Sequence, residues 1–540
     1  MLYYVLLTHF YFFAIILYID VKVKRHFAPW HQRIAKHIVP PGIQKTKVFD
    51  IMKTKVSNRK FIPFVYTAAF FLFAVLFTLQ SPESPLAKGT TGIDSSVFQY
   101  IAYGISRGIT PYIHVFDHKG PLIYFIDYIG QSIHFSHGIW LLEILFLSIA
   151  MFISYKTILL FSDSSEAFLT TLVCYLMLTN FYEQGNLTEE WALPFIAFGL
   201  HAFVRFFIKE TVEFGHILLC GLSFGAICLL RINMAGVWIS GCLAVFIYLI
   251  HQKQLKKTLH ILFPFLLGII IICLPFLIYL AIHNAIPSFL QDYFLFNFEY
   301  KNSNLPEKYN ALVFFCKDRG LITSFCCFIF LFIRRCKSNR SNKYITYMTG
   351  AAFVLSFCLF CMAGRNYAHY AMVLIPLYTI PVGCVISEIK SCIRSHTQDL
   401  AAIFILCVML VFCILPLTRD CLDNFFVQYL IADESDNHIA GLIAKETLPE
   451  DTIAVYGNHC SYYYLSQRLS ATTFAYTSIF EEHPDYIADY IDQLEEALPK
   501  LIIIEKERGN YSIPEELQTY IDENQYFVYY EDSENIIFER

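Results

Sequence analysis

One stretch, residues 92–124, collects the side chains most able to do chemistry. Asp94 lies near its start, and Asp117, His118 and Lys119 lie together near its end. A carboxylate can act as a general base, and a lysine ammonium can hold a phosphate as a point charge. The combination predicts a site for an anionic substrate. The alternative is that Asp117 pairs with Lys119 and that these are ordinary polar residues at a membrane interface.

Asp94 begins an amphipathic pattern in which Val97, Ile101 and Ile105 recur at helical spacing. The pattern predicts a helix lying on a membrane surface. Asp94 would stand at the amino end of that helix, where a carboxylate interacts favourably with the helix dipole. It could therefore be a plain N-cap, or a carboxylate available for catalysis.

A second polar cluster occupies residues 183–190, at the mouth of two apolar runs. Asn186 or Thr188 could cap the following helix, with Glu189 and Glu190 in its first turn. Capping accounts for one acid better than for two. An acid that enters a membrane is costly, and it therefore indicates a functional site.

Cations interrupt two later apolar runs. Arg231 follows one of them, and the short segment 364–369 carries Arg365 and His369. Both places could hold a phosphate or pyrophosphate. For Arg231 the alternative is a side chain that only extends to the membrane interface.

The elements that must position these residues are predicted to be membrane-spanning helices. The chain is 56% hydrophobic and 16% charged, whereas soluble domains average about a quarter charged residues. Its mean hydropathy is +0.49. Runs near the roughly 20 apolar residues that a span needs lie at 2–19, 61–79, 138–161, 165–181, 190–208, 215–231, 234–250, 258–282, 320–333, 345–363, 370–387 and 399–417. We therefore expect a polytopic α-helical membrane protein with about 11–12 transmembrane helices.

Charge predicts the orientation. Residues 20–60 hold eleven Lys and Arg against two acids, so this segment should be cytoplasmic. Alternation then places the loops 80–137, 182–189, 283–319 and 364–369 outside. From residue 418 onward, 25 Asp and Glu stand against 7 Lys and Arg, and strand-like and helix-like runs alternate. That tail is predicted to be a small α/β domain on the outer side.

Three parts follow from these patterns. Residues 1–60 are a hydrophobic segment and a basic cytoplasmic linker, and residues 61–417 are a membrane module whose first outer loop is 80–137. Residues 418–540 are an acidic, extracytoplasmic domain. Membrane lipids are the expected surroundings, and no nucleic-acid partner is expected.

Three sequence blocks stand out in this order: Phe116-Asp-His-Lys-Gly-Pro-Leu-Ile-Tyr124, Gly185-Asn-Leu-Thr-Glu-Glu190 and Arg365-Asn-Tyr-Ala-His-Tyr370. Together they resemble the bacterial protein-mannosyltransferase-like branch of the GT-C glycosyltransferases, a superfamily that includes the lipid A aminoarabinose transferases. The resemblance covers residues 61–540.

The resemblance implies a GT-C fold and an enzyme that transfers a sugar, with inversion, from a polyprenyl-phosphate donor on the outer membrane face. The acceptor would be a lipid, a glycan or a protein. Asp94 would be the catalytic carboxylate that deprotonates the acceptor hydroxyl. Lys119, with His118 and Arg365, would bind the donor phosphate. The acceptor and sugar side would consist of Asp117, Glu189, Glu190, His369 and Tyr112.

One departure concerns a metal. Many relatives carry a second acid directly after the first, whereas Ser95 and Ser96 follow Asp94 here. A divalent metal would lack a paired ligand in this loop, so the sequence favours no cofactor over a divalent metal and assigns no metal ligands.

Two other functional classes compete. A transporter or flippase of lipid-linked sugars should show inverted repeats or broken spans, and the sequence shows no such symmetry. A non-catalytic scaffold would use its tail to bind partners, with the polar loops playing no chemical part.

Overall fold

The computed structural model describes residues 64–87, 91–299, 305–335, 340–395, 414–430, 435–481, 483–506 and 513–540. The chain divides into two compact units, residues 1–65 and 66–540. Only the last two residues of the first unit are described. The predicted span 2–19, the basic linker 20–60 and most of the predicted span 399–417 therefore lie outside the described residues.

The membrane module is built from helices. They are α1 (Phe64–Thr78), α2 (Ile93–Ser106), α3 (Pro121–Ile133), α4 (Gly138–Ile158), α5 (Ser164–Leu176), α6 (Thr188–Lys209), α7 (Phe214–Leu230), α8 (Gly236–His251) and α9 (Lys257–Ile282). They continue with α10 (Ile286–Phe289), a π-helical turn (Leu290–Leu295), α11 (Phe296–Glu299), α12 (Leu305–Cys316), α13 (Arg319–Arg335), α14 (Arg340–Cys361) and α15 (Ile375–Ser395). Short 3-10 turns lie at Met177–Asn180, Ile232–Met234 and Ala368–Leu374.

The helices confirm an integral membrane protein. Among the described residues, five helices are long and apolar enough to cross a bilayer: Gly138–Ile158, Thr188–Lys209, Lys257–Ile282, Lys343–Cys361 and Ala368–Glu388. Shorter apolar helices are Phe64–Thr78, Phe214–Leu230, Gly236–His251 and Arg319–Phe332. The predicted span 165–181 differs, because α5 ends at Leu176 and a 3-10 turn follows.

Helix α9 shows why such a helix needs lipid. Its most apolar window has a mean hydropathy of 3.0, and only 11% of that window is buried within the protein. It contacts α7 where glycines let the two backbones approach closely. A Cβ on Gly268 would lie 2.1 Å from the carbonyl oxygen of Leu218, and one on Gly221 would lie 1.9 Å from that of Phe265. The remaining apolar surface therefore faces the membrane.

The predicted α/β domain is confirmed at the carboxyl end of the chain. Its elements follow α16 (Leu415–Leu430) and are α17 (Ser435–Glu446), β1 (Thr452–Tyr456), α18 (Ser461–Ser466), β2 (Leu469–Ser470), a 3-10 turn (Ser478–Glu481), α19 (Tyr486–Ala497), β3 (Leu501–Glu505), α20 (Glu515–Glu523), β4 (Phe527–Glu531) and β5 (Asn535–Glu539). We call residues 435–540 the C-terminal domain.

The sheet of the C-terminal domain has the strand order β2-β1-β3-β5-β4. β1 runs parallel to β2 and β3, and β5 runs antiparallel to β3 and β4. Strand β3, Leu501–Glu505, is buried along four consecutive residues. Such a continuous apolar run is typical of a central strand covered on both faces.

The first loop, 80–137, is itself folded into α2 and α3. Gly92 is the N-cap of α2, so Asp94 lies in the first turn and the N-cap interpretation of Asp94 is wrong. Residues 95–104 of α2 are all buried. The amphipathic pattern predicted one exposed face, but the C-terminal domain covers it: the ring of Tyr100 packs against that of Tyr463 at a tilt of 33°, with the ring centroids 4.6 Å apart.

Glu83 bonds to Thr91 and to Gln99 of α2. Its side chain is buried, and its Oε1 accepts hydrogen bonds from Gln99 Nε2 at 2.7 Å and from Thr91 Oγ1 at 3.3 Å. Burial raises the pKa of Glu83 to about 7 from its usual 4.5, although both bonds act in the opposite direction. The neutral carboxyl is thus the form that the fold prefers.

We expect Glu83→Gln to stabilise the protein at pH 8 and not at pH 4. The pKa of Glu83 is raised in the folded state. Its neutral form therefore contributes fully to the free energy of unfolding below about pH 4.5, and this contribution is lost as the pH rises through about 7. The gain at pH 8 should be about 1–3 kcal/mol. Thermal unfolding in detergent measures it, with the exposed Glu516→Gln as control. An equal gain at both pH values would show that packing, not ionisation, is responsible.

Candidate active site

Lys119 and Arg231 come from distant parts of the chain and are placed by one close backbone contact. The N–H of Gly120 donates to the carbonyl oxygen of Leu230 at 3.1 Å. A Cβ at position 120 would lie 2.1 Å from the carbonyl oxygen of Leu229, so only glycine fits. This contact sets the residue before Gly120 beside the residue after Leu230.

Lys119 is buried and is held by a neutral histidine. Its Nζ donates to His118 Nε2 at 2.8 Å, and only 8% of the residue's surface is exposed. Burial, and then the charges of Lys119 and Arg231, hold the pKa of His118 well below its usual value. The imidazole therefore accepts a hydrogen bond without adding charge. Within the described residues Lys119 forms no ion pair.

The carboxylate of Asp117 accepts hydrogen bonds from neutral donors. Its Oδ1 accepts from the His118 N–H at 2.8 Å and from Tyr476 Oη at 3.0 Å, and its Oδ2 accepts from Tyr124 Oη at 2.6 Å. Burial raises the pKa of Asp117 above its usual value, against the effects of Lys119 and of these bonds. The alternative in which Asp117 pairs directly with Lys119 is wrong, because these donors occupy the carboxylate oxygens.

Tyr112 supports the Lys119 backbone from a strained position. Its φ is 69°, a conformation that bulky residues rarely adopt. Its hydroxyl donates to the Lys119 carbonyl oxygen at 2.8 Å, and the Tyr124 hydroxyl oxygen lies 3.2 Å from the same carbonyl oxygen. The hydroxyl of Tyr112 thus acts on the loop rather than pointing to open space.

Glu189 and Arg231 form a buried ion pair. Arg231 Nη1 lies 2.7 Å from Glu189 Oε1, and Thr188 Oγ1 donates to Glu189 Oε2 at 2.7 Å. Arg231 Nη2 donates to Tyr370 Oη at 2.8 Å, and its guanidinium lies 4.3 Å from the centre of that ring. With its side chain 14% exposed, Arg231 does not extend to an interface. The alternative of an interfacial arginine is wrong.

A small pocket adjoins this ion pair. Its lining residues come from α6, the turn after α7, α14 and the 3-10 turn before α15: Glu189, Asn233, Met234, Ser356, Phe360, Tyr370 and Val373. Asn233 Oδ1 is buried there without a hydrogen-bond partner among the described residues. The pocket thus offers polar atoms beside a fixed charge pair.

His369 is tied to the second polar cluster by Glu183. Glu183 Oε2 forms an ion pair with His369 Nδ1, and its Oε1 accepts from the Ala368 N–H at 3.0 Å. His369 is buried and stacks edge-on with Tyr370, the ring centroids 4.8 Å apart. The short segment with Arg365 and His369 is therefore anchored to the residues that precede α6.

Glu190 faces a different environment from Glu189. Its Oε2 accepts from the Asn186 N–H at 2.8 Å, and Glu143 Oε1 accepts from the same N–H at 3.0 Å. Asn186 Nδ2 donates to Asp127 Oδ2 at 2.9 Å. Glu190 thus belongs to an internal group of acids around Asn186, away from Arg231.

The sequence contained a signal for these additional acids. Glu143 interrupts an apolar run in α4, and Asp127 lies within the apolar face of α3. An acid in such a place is costly and marks a site by default. No local pattern, in contrast, pointed to Tyr476 of the C-terminal domain.

Asp94 is half-buried and stands apart from this bonding. It forms no hydrogen bond or ion pair with any described residue. Its charge nevertheless acts on Tyr367, His369, Tyr370 and Tyr476, so it lies within electrostatic range of these residues. Arg365 is half-buried and also acts on Tyr367.

The structure therefore brings the sequence-predicted residues to one end of the helices but divides their environments. Glu189 interacts electrostatically with Lys119 and with His369, and His369 also interacts with Asp94. In the part of the chain that the structure describes, no three His, Cys, Asp or Glu residues are grouped to hold a metal. The two residues after Asp94 are engaged: Asn186 donates to Ser95 Oγ and the Cys460 N–H to Ser96 Oγ.

Comparison with solved structures identifies the fold. The chain is similar to the aminoarabinose transferase ArnT from Cupriavidus metallidurans bound to undecaprenyl phosphate, with a TM-score of 0.60 and 14% identity over 88% of this chain and 97% of that one. The apo state of the same protein gives a TM-score of 0.58 with the same identity and coverage. ArnT is a GT-C protein, so the expected GT-C fold is confirmed.

Sequence comparison gives the family. No curated protein sequence matches the chain significantly. The family described as the competence-induced protein Ccs4 N-terminal domain matches residues 55–432, more than half of the chain. The chain therefore belongs to the competence-induced protein Ccs4 N-terminal domain family, and it has a GT-C fold.

Proposed function

We propose that the protein is a glycosyltransferase that moves a sugar from a polyprenyl-phosphate donor to an acceptor on the outer face of the membrane. The observation that carries the proposal is the arrangement of Asp94 and Lys119. A carboxylate with no bonding partner among the described residues faces the same end of the helices as a buried ammonium that has no ion pair there. The likeness to ArnT, bound to undecaprenyl phosphate, supports a lipid phosphate as the donor's carrier.

Lys119 would bind the donor phosphate. Its charge is not cancelled by Asp117, which is filled by neutral donors, and His118 holds its Nζ as a neutral acceptor. In a buried site an ammonium interacts strongly with a phosphate. The same charge would stabilise the polyprenyl phosphate as it leaves. Arg365, half-buried near Tyr367, would be a second cation for the phosphate.

Asp94 would act as the general base. It would take the proton of the acceptor hydroxyl while that oxygen bonds to the anomeric carbon of the sugar. The bond from this carbon to the phosphate oxygen breaks in the same step, and the electron pair leaves with the polyprenyl phosphate. A single displacement of this kind inverts the anomeric configuration.

The remaining residues would shape the acceptor and sugar side. Glu189, fixed by Arg231, and His369, fixed by Glu183, offer charged groups for sugar hydroxyls. Asp117 and Tyr112 would act through the loop that carries Lys119. Glu190 would contribute by holding Asn186, which precedes α6.

Asp94→Asn should reduce sugar transfer by about 10²–10⁴-fold, because the amide cannot accept the proton. Purified protein is incubated with polyprenyl-phosphate sugars and candidate acceptors, and the product is identified by mass spectrometry. Asp489→Asn, an exposed acid on α19, is the matched control and should transfer at the wild-type rate. Wild-type transfer by Asp94→Asn would exclude Asp94 as the base. Translocation of lipid-linked sugar without transfer by the wild type would favour a flippase.

Lys119→Met should weaken donor binding by about 10–100-fold, the scale of one lost charge-assisted bond. The apolar side chain keeps most of the volume but removes the charge. The measurement is the KM for the donor, with thermal unfolding as the check on folding. An unchanged KM in a folded variant would contradict the phosphate role.

An epitope tag after Arg540 should be cleaved by protease added to intact cells whose wall has been removed. The basic linker 20–60 predicts this orientation, because positive charges collect on the cytoplasmic side. A tag inserted at Gln254, between α8 and α9, is the matched control and should be protected. Protection of the Arg540 tag with cleavage at Gln254 would reverse the topology.

A further inference from the structure

The C-terminal domain forms hydrogen bonds with α2, the helix whose first turn contains Asp94. The Cys460 N–H donates to Ser96 Oγ at 3.0 Å, and the Ser470 N–H donates to Tyr100 Oη at 2.8 Å. Both acceptors are buried residues of α2. The position of this helix is therefore set from the C-terminal domain as well as from the membrane module.

The same domain also contacts the loop that carries Lys119. The Phe116 N–H donates to the carbonyl oxygen of Thr473 at 2.8 Å, a backbone bond between the two modules. The ring of Phe116 packs against Phe474 and Tyr486, with ring centroids 6.0 Å apart in each case. Only two residues, Asp117 and His118, separate Phe116 from Lys119 in the chain.

Tyr476 is the polar link within this contact. Its hydroxyl is buried and donates to Asp117 Oδ1 at 3.0 Å. Burial, and then the charge of Asp117, raises the pKa of Tyr476 well above its usual value, so the hydroxyl stays protonated. Asp94 also acts on this residue. Tyr476 therefore interacts electrostatically with both Asp94 and Asp117 of the first loop.

We propose that Tyr476 is a positioning residue through which the C-terminal domain fixes Lys119 relative to Asp94. This inference rests on the proposed function of Lys119 as the phosphate-binding group. Asp117 connects the two: it also accepts the hydrogen bond of the Tyr124 hydroxyl, whose oxygen lies 3.2 Å from the Lys119 carbonyl oxygen. Without the hydrogen bond from Tyr476, the buried carboxylate of Asp117 lacks one of its donors. The loop that carries Asp117 and Lys119 then shifts.

The test is Tyr476→Phe in the full chain. Affinity for undecaprenyl phosphate, measured without any sugar, should fall about tenfold, and the donor KM should rise by a similar factor while kcat changes less than about twofold. Tyr526→Phe is the matched control, because it removes another buried hydroxyl bond of the same domain, to the carbonyl oxygen of Pro499 at 2.6 Å. It should change affinity less than about twofold.

The outcomes separate the two proposals. If the wild type binds undecaprenyl phosphate but transfers no sugar, and Tyr476→Phe loses affinity, the positioning role stands and the transferase function fails. If the wild type transfers sugar and Tyr476→Phe keeps its affinity and KM, the positioning role is overturned. Equal losses in Tyr476→Phe and Tyr526→Phe would also overturn it, since they would reflect stability alone.

A double-mutant cycle tests the route through Asp117. In an Asp117→Asn background, Tyr476→Phe should cost less than about twofold in affinity, because the interaction partner is already changed. A second full tenfold loss in that background would show that Tyr476 acts directly on the ligand and would overturn the positioning role.

Discussion

The buried carboxylate of Asp117 is the constraint on which the candidate site depends. A buried charge is tolerated only when hydrogen bonds replace its lost hydration. Asp117 obtains them from its own loop, from Tyr124 on α3 and from Tyr476 in the C-terminal domain. These three parts must therefore remain together while Asp117 is buried. Since the donors are neutral, the nearby charge of Lys119 is left without an ion-pair partner among the described residues.

Neighbouring acids at the start of α6 illustrate how a helix separates functions. Consecutive residues of an α-helix point about 100° apart. Glu189 consequently meets Arg231, whereas Glu190 meets Asn186 and Glu143. A pair of acids that looks uniform in the sequence becomes one member of a fixed ion pair and one member of an internal hydrogen-bond network. Only the first adjoins the pocket beside Tyr370.

Apolar length predicted the helices because a bilayer requires it. The predicted span 258–282 matches α9, Lys257–Ile282, since nothing but lipid can cover so apolar a surface. The helix α2 was predicted from spacing alone, but its burial was not, because its cover comes from residues such as Tyr463. Period and length are local properties, whereas a cover supplied by a distant domain is not.

For the candidate site too, local sequence properties were predictable and contacts between distant parts of the chain were not. Asp94 and Lys119 stood out because charged residues flank apolar runs. The approach of Gly120 to Leu230 could not be read from the sequence, since it depends on how α7 packs against the loop. The bond from Tyr476 to Asp117 joins residues 359 positions apart. No motif spans such a distance, so the positioning of a site residue is less predictable than its identity.

Strained backbone before α6 shows how firmly this end of the protein is specified. Four consecutive residues, 183–186, have φ values of 40°, 77°, 85° and 49°. Such conformations cost of the order of 1–3 kcal/mol each for a residue other than glycine. Gly185 is required, because a Cβ there would lie 2.5 Å from Tyr182 Oη.

Contacts at both ends of this segment offset its strain. Glu183 pairs with His369, and the Asn186 N–H is shared by Glu143 and Glu190. A backbone held in this way has little freedom left to lose when a substrate binds. Less of the binding free energy is then spent on ordering the protein. This segment therefore holds His369 and the start of α6 in one arrangement before any ligand binds.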